Sequence, residues 1–288
     1  MINRKILSNL MCIKCSGVLK LIQKNLFCSS CGARYPIIKN RPIMLATDPK
    51  KDSDKPVSDF MINKLKIFFR KFPKIYSIFY YLFGALFVGK SPKKIIRNIG
   101  LDKLIVNLGS GPKKLRDDII NVDFYPFINV DVVADIGNLP FKSNSIDVII
   151  NEAVLEHNKN PQLLIKEMHR VLKPGGLIYI TTVFVASFHS SPNDYYRWSK
   201  EGLRELLGGF KEKEIGIICG PTSAMLSIFN EWLAIFCSFG IKYLHQILLI
   251  MFTVITSPLK IFDYLISKFP SAQNIAYGFY YIGTKKRI

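Results

Sequence analysis

Leu104-Ile105-Val106-Asn107-Leu108-Gly109-Ser110-Gly111 decides the fold of this chain. An apolar run of strand length ends on two close glycines. Glycine lets the backbone take a positive φ and lets a ligand approach the main chain with no Cβ in the way. Such a junction also serves as a plain turn, so its meaning depends on the residues beyond it. Ile119-Ile120-Asn121-Val122 ends at Asp123, Val130-Asp131-Val132-Val133-Ala134 ends at Asp135, and Ile146-Asp147-Val148-Ile149-Ile150 leads to Asn151-Glu152. Short β-branched runs bounded by turn residues suit strands buried on both faces of a parallel sheet. In open α/β sheets, ligands sit at the carboxyl ends of the strands, where the glycines and these polar residues fall.

The order of these segments resembles class I S-adenosylmethionine-dependent methyltransferases, closest to those of the ubiquinone-biosynthesis type. Val106 to Pro112 is similar to their glycine motif, and Ala134-Asp135-Ile136-Gly137-Asn138-Leu139-Pro140-Phe141 to their adenine-side D-x-x-x-L-P-F motif. Val154-Leu155-Glu156-His157 and Val171-Leu172-Lys173-Pro174-Gly175-Gly176 resemble the ends of two further family segments. The resemblance spans residues 104 to 210 and implies a Rossmann-like sheet of seven strands that binds S-adenosylmethionine.

It assigns the cofactor to Asn107, Gly109, Ser110, Gly111, Asp123, Asp135, Ile136, Asn151 and Glu152. Asp123 would take both ribose hydroxyls, Asp135 the adenine amine, and Asn151 and Glu152 the space under the sulfonium. An Asp after a strand also serves as a cap or turn former. Only about a dozen residues separate Gly111 from Asp123, against ~20 in the usual spacing. The first crossover helix is therefore expected to be very short, within Pro112 to Asp118, with Asp131 the fallback for Asp123.

Methyl transfer from a sulfonium is an in-line displacement, so placement and desolvation carry much of it. A base is needed only for an acceptor protonated at neutral pH. His157 and His189 are the candidates, His157 with the alternative of capping the next helix. His189 opens a stretch similar to an H-x-x-P-x-D-Y-Y-R element found in part of the family, which makes Tyr195, Tyr196 and Arg197 candidate acceptor contacts.

Cys12-Ile13-Lys14-Cys15 and Cys28-Ser29-Ser30-Cys31 form two C-x2-C knuckles on either side of a hairpin-like alternation. Four thiolates so spaced suit a closed, structural zinc site. Disulfides suit a secreted chain, and this one reads as intracellular. With the Pro-rich stretch to Leu45, the segment resembles the small zinc-ribbon activator subunits of tRNA and protein methyltransferases. Such a ribbon would recognise substrate or pack on the catalytic domain.

Residues 1–100 hold 20 Lys and Arg against 4 acids, and residues 101–222 hold 14 against 15. The net charge of +19 is thus almost entirely outside the central sheet. A polar linker from Ala46 to Ser58 precedes Phe60 to Val88, where Lys and Arg mix with Phe, Tyr, Leu and Ile. That mixture suits an anionic bilayer surface, or RNA through stacking and phosphate contacts. More than fifty residues then separate a sixth strand near 213–219 from a seventh near 276–283. Met225 to Phe239 and Ile247 to Ile255 are too apolar for an RNA surface. Asn230, Glu231, Lys242, His245 and Pro258 interrupt them, which favours a monotopic or re-entrant surface over a spanning helix or a protein-buried cap.

The expected layout is a zinc ribbon over 1–47, basic amphipathic segments over 48–98, and an α/β methyltransferase domain over 99–288 with a helical insert at 222–274. The expected activity is methylation of a lipid-linked or membrane-soluble acceptor at the inner face of a membrane. An RNA methyltransferase gripping phosphates with its ribbon and basic arm is the alternative, and a non-catalytic cofactor-binding scaffold is another.

Overall fold

A computed structural model describes residues 4–46, 84, 86–188 and 193–287. His189 and most of the basic segment over 48–98 lie outside the described residues. In chain order the elements are α1 (Arg4–Asn9), β1 (Leu19–Ile22), β2 (Asn25–Cys28), β3 (Arg34–Ile38), β4 (Arg41–Met44), α2 (Pro92–Ile96), β5 (Ile105–Leu108), β6 (Ile120–Asp123), β7 (Val132–Ala134) and β8 (Ile146–Glu152). Next come α3 (Pro161–Val171), β9 (Leu172–Val183), α4 (Lys200–Leu206), β10 (Phe210–Cys219), α5 (Pro221–Ser238), α6 (Lys242–Thr256), α7 (Asp263–Ile266) and β11 (Gly278–Lys285).

The strands form one sheet in the order β1-β2-β3-β4-β7-β6-β5-β8-β9-β11-β10. From β7 to β9 the pairing is parallel, and β11 runs antiparallel between β9 and β10. All residues of β5 and β6 are buried, as continuous apolar runs covered on both faces require. Between Leu172 and Leu177 the β8–β9 register breaks, and Gly175 takes φ +76° there. This is the turn the Lys173-Pro174-Gly175-Gly176 sequence anticipates.

Two features differ from the sequence reading. No helix forms between β5 and β6: residues 109–119 turn instead. Arg116 pins that turn, pairing with Asp118 and donating to the Ile96 and Ile99 carbonyls at the end of α2. So short a crossover holds no helix, and side-chain anchoring replaces one. The seven expected strands are present as β5 to β11, and the second difference is that the sheet continues beyond them. Ribbon strand β4 pairs in parallel with β7, Ile43 opposite Val133 and Met44 opposite Ala134, so the ribbon continues the sheet edge.

The insert leaves the end of β10 and returns at Gly278. Gly278 pairs with both Cys219 and Val183, the last residue of β9. The insert is therefore rooted at the same sheet edge where β5, β6, β7 and β8 end.

Candidate active site

Parallel pairing brings the ends of β5, β6, β7 and β8 to one edge, and the glycine loop lies there. Gly109 and Gly111 have φ +70° and +55°. A Cβ on Gly109 would stand 2.4 Å from Val154 Cγ2, whereas Gly111 faces open space. The loop is tied to β6: the Gly109 and Ser110 amides donate to the Val122 carbonyl at 2.8 and 3.2 Å. Asp123 closes it, its Oδ2 accepting the Gly111 amide at 2.8 Å and its Oδ1 the Tyr125 amide at 3.0 Å. A carboxylate offers two oxygens in one plane, an arrangement that suits a diol. Asp131 is elsewhere, its Oδ2 accepting the Asn121 amide at 2.8 Å inside the sheet.

Asn151 is fully buried at the end of β8. Its amide donates to the Leu108 carbonyl at 3.0 Å, and its Oδ1 has no partner. A buried carbonyl oxygen without a donor costs about 1–3 kcal/mol, so a ligand that supplies one suits this place. Glu152 comes next; burial pushes its carboxyl above the usual range, and Lys113 and Lys93 oppose that rise. Asp135 is exposed, its Oδ1 taking the Gly137 amide at 2.8 Å in a turn beside Ile136. Ser110 is buried, and its hydroxyl donates to the Gly111 carbonyl at 3.3 Å. Asn107 is drawn into the sheet instead, donating at 3.3 Å to Asn121 directly opposite it. The open space at Gly111, the acceptors of Asp123 and the partnerless Asn151 oxygen together fit S-adenosylmethionine.

The residues expected to meet an acceptor lie in the segments after β8 and β9. His157 Nδ1 bonds the Asn193 carbonyl, so the ring does not cap α3. A carbonyl only accepts, so Nδ1 carries a proton in this contact. The Tyr195 amide donates to the Glu156 carbonyl at 2.7 Å, and the Tyr196 hydroxyl to the Lys159 carbonyl at 3.1 Å. Both tyrosines remain exposed. Arg197 is instead a clamp: it pairs with Asp194 and donates to the carbonyls of Ala186, Ser187 and Tyr196. The guanidinium so engaged ties Asp194 and Tyr196 to Ala186 and Ser187, which leaves Tyr195 and Tyr196 as the exposed members of the trio.

Glu156 was passed over in the sequence, although a carboxylate inside an apolar segment was its signal. It is fully buried, and the Thr182 hydroxyl donates to it at 3.3 Å. Burial, with the negative Asp194, outweighs the hydrogen bonds and Arg197 and pushes its carboxyl up to about 7.

The ribbon gathers the Sγ atoms of Cys12, Cys15, Cys28 and Cys31 within 4.8 Å of one another. Cys12–Cys31 and Cys15–Cys28 stand at 3.6 and 3.5 Å. Four sulfurs 2.3 Å from a central zinc would be about 3.8 Å apart, so the set fits a tetrahedral ion. The ribbon also braces the loops that come after Asp123 and Asp135. Arg41 donates to the carbonyls of Pro126, Phe127 and Ile128 at 3.2, 2.7 and 2.7 Å. The Met11 amide donates to the Pro140 carbonyl at 2.8 Å, and Leu10 bridges to Phe141.

Residues 112–180 match the family model described as "Methyltransferase domain". That stretch is similar to methyltransferase domains. Within the match lie Asp123, Asp135, Asn151, Glu152, Glu156 and His157. The chain is similar to malonyl-[acyl-carrier protein] O-methyltransferase 1 of Coxiella burnetii, 36% identical over 69 residues, 23% of this chain and 24% of that protein. It is also similar to a bifunctional biotin-biosynthesis protein of Cellvibrio japonicus, 42% identical over 52 residues, 18% of this chain and 10% of that one. The chain thus spans a quarter or less of the length of these relatives. A solved phosphoethanolamine N-methyltransferase 2 of Haemonchus contortus, in complex with S-adenosyl-L-methionine, superposes with a TM-score of 0.49 at 15% identity. That superposition covers 88% of this chain and 62% of that one.

Proposed function

We propose that the protein is an S-adenosylmethionine-dependent methyltransferase for a lipid-linked or membrane-soluble acceptor, working at an anionic membrane surface on the inner face. One observation carries the acceptor class: the apolar insert is rooted at the same sheet edge as the glycine loop. The segment after β9 joins the two, since Ser187 bonds Ser227 of α5 through its amide at 3.1 Å and its hydroxyl at 2.9 Å. Phe188, Tyr195 and Tyr196 are exposed along this rim. An apolar acceptor would reach the site over surface of its own polarity, whereas RNA would meet the carbon-rich face of α5, a helix without Lys or Arg.

When bound, S-adenosylmethionine supplies an electrophilic methyl group. Asp123 would accept the ribose hydroxyls, the glycine loop would admit the methionine part against the backbone, and Asn151 Oδ1 would accept from its ammonium. For a hydroxyl or acidic carbon acceptor, His157 Nε2 is the atom to receive the proton. Thiolate ligands at Cys12, Cys15, Cys28 and Cys31 would hold structural zinc.

Titration calorimetry with S-adenosylmethionine tests the cofactor reading. Asp123→Asn should weaken binding about thirtyfold, the loss expected when charge-assisted hydrogen bonds worth about 2 kcal/mol are removed. Absence of binding by the native chain would overturn the cofactor reading, whereas binding without methyl transfer to any acceptor would point to the scaffold alternative. Radiolabelled methyl transfer into a membrane lipid extract tests the acceptor; label appearing in RNA instead would overturn it.

A further inference from the structure

The insert is apolar outside, and its inner side mixes polar and small residues with a few apolar ones such as Leu226. Met225, Ile228, Phe229, Trp232, Ile235 and Phe236 are exposed along one stripe of α5, at the spacing of a single helix face. The rings of Phe229 and Trp232, and of Trp232 and Phe236, stack with centroids 6.0 and 5.8 Å apart. In α6, Ile247, Ile250, Met251, Val254 and Ile255 are exposed in the same manner.

The buried side of these helices carries Asn230, Ala234, Ser238 and Gln246. Asn230 donates to Thr256 at 2.8 Å, and Gln246, 1% exposed, has neither amide atom paired. A helix in water buries its apolar stripe. Where the solvent is hydrocarbon, helices join through small and polar residues and turn their aliphatic faces outward. A contiguous exposed apolar face of this kind marks a surface that meets a membrane or a partner.

We propose that this face of α5 and α6 is embedded in the hydrocarbon of an anionic bilayer, which makes the insert the protein's membrane anchor. The proposal rests on the membrane-surface function and adds the element and the depth. Charge supports a bilayer over a protein partner. The insert's two carboxylates are both engaged: Glu231 pairs with His245 at 3.0 Å. Asp263 is fully buried, accepting the Thr222 and Ser223 amides and the Ser223 hydroxyl. Lys242 and Lys268 are exposed at its surface, the sign an anionic headgroup layer attracts.

The insert enters the membrane without crossing it. The helical run Lys242–Ile266 is apolar and long enough for a span by length and composition, with mean hydropathy 1.6. Its second part is held to the domain, however. Asp263 fastens the start of α5, and buried Lys260 donates to the Gly84 carbonyl at 2.9 Å. The 15 residues of α6 measure about 22 Å, short of the ~30 Å hydrocarbon core.

The chain has two tryptophans, Trp198 and Trp232, which makes the test direct. The full chain is mixed with phosphatidylglycerol–phosphatidylcholine vesicles whose acyl chains carry bromine, a contact quencher. Tryptophan emission should shift to the blue and be quenched. Trp232→Phe should abolish that quenching while S-adenosylmethionine affinity and melting temperature hold. Ile235→Glu with Phe236→Glu should lower vesicle partitioning about tenfold or more. Vesicle binding with no quenching of Trp232 would overturn embedding and leave a membrane reading based on surface charge. No vesicle binding, with a blue shift that tracks protein concentration, would assign the face to a second copy and overturn both readings.

Discussion

Leu108 and Phe236 are both large apolar residues on regular elements, and the protein treats them oppositely. Leu108, at the end of β5, is fully buried, whereas Phe236 on α5 is 67% exposed. Around Leu108, apolar side chains fill the interior and polar groups gather at the rim, next to the glycine loop. Around Phe236 the order is reversed, with amides and small residues inside and aromatic rings outside. One chain therefore contains two solutions to the burial problem, and they meet at a single sheet edge. On the membrane reading proposed above, each region suits a different solvent.

The largest effect is expected on the sheet side. Withdrawing metal from the four cysteines with a chelator should unfold the ribbon, since structural zinc contributes about 10 kcal/mol of apparent binding energy. Because Arg41 and Met11 hold the loops after Asp123 and Asp135, S-adenosylmethionine affinity should fall with it. Calorimetry before and after chelation reads this, and unchanged affinity would show that those contacts do not position the pocket. Vesicle binding through the insert should persist, which separates the two regions.

A matched pair of substitutions comes next. Leu108→Ala should destabilise the fold by about 3 kcal/mol in chemical denaturation, through lost burial and a residual cavity. Phe236→Ala should stay within about 0.5 kcal/mol, as exposed sites do. Equal costs would show that Phe236 is covered in the free protein and would end the contrast.

Acidity gives a graded test. Glu156 is pushed up to about 7 from an ordinary 4.5, so the folded state binds its proton more tightly than the unfolded state does. Its contribution to stability is full below pH 4.5 and is lost as pH rises through 7, a change of about 3 kcal/mol at most. Melting of Glu156→Gln should therefore be less sensitive to pH between 5 and 8 than melting of the native chain. Parallel melting curves would assign the proton elsewhere.

These contrasts were unequally legible in the sequence. Gly109, Gly111 and the strand-end polar residues could be read because a glycine pair and a strand terminus are local signals. The cysteine knuckles are local too. The pairing of Ile43 with Val133 was not, because a short parallel ladder between distant segments leaves no periodicity in either. The length of the first crossover was apparent, but its replacement by an Arg116 anchor depends on α2 packing beside it. Arg197 looked like an acceptor contact because its partners, Asp194 apart, are backbone carbonyls, which carry no side-chain signature. Apolar composition marked the insert, whereas which of its residues face inward became clear only once α5 and α6 were packed.

The β4–β7 ladder has a consequence for solubility during the life of the chain. Without the ribbon, Val132-Val133-Ala134 would end the sheet as an apolar edge with open amides and carbonyls, a template for strands of other molecules. With it, the outermost strand is β1, four residues long and carrying Lys20, while β10 at the far edge presents Lys211, Glu212 and Lys213 with an irregularity in its register. The ribbon is thus an edge guard. If the ribbon holds zinc as proposed, loss of the metal would be expected to uncover this strand.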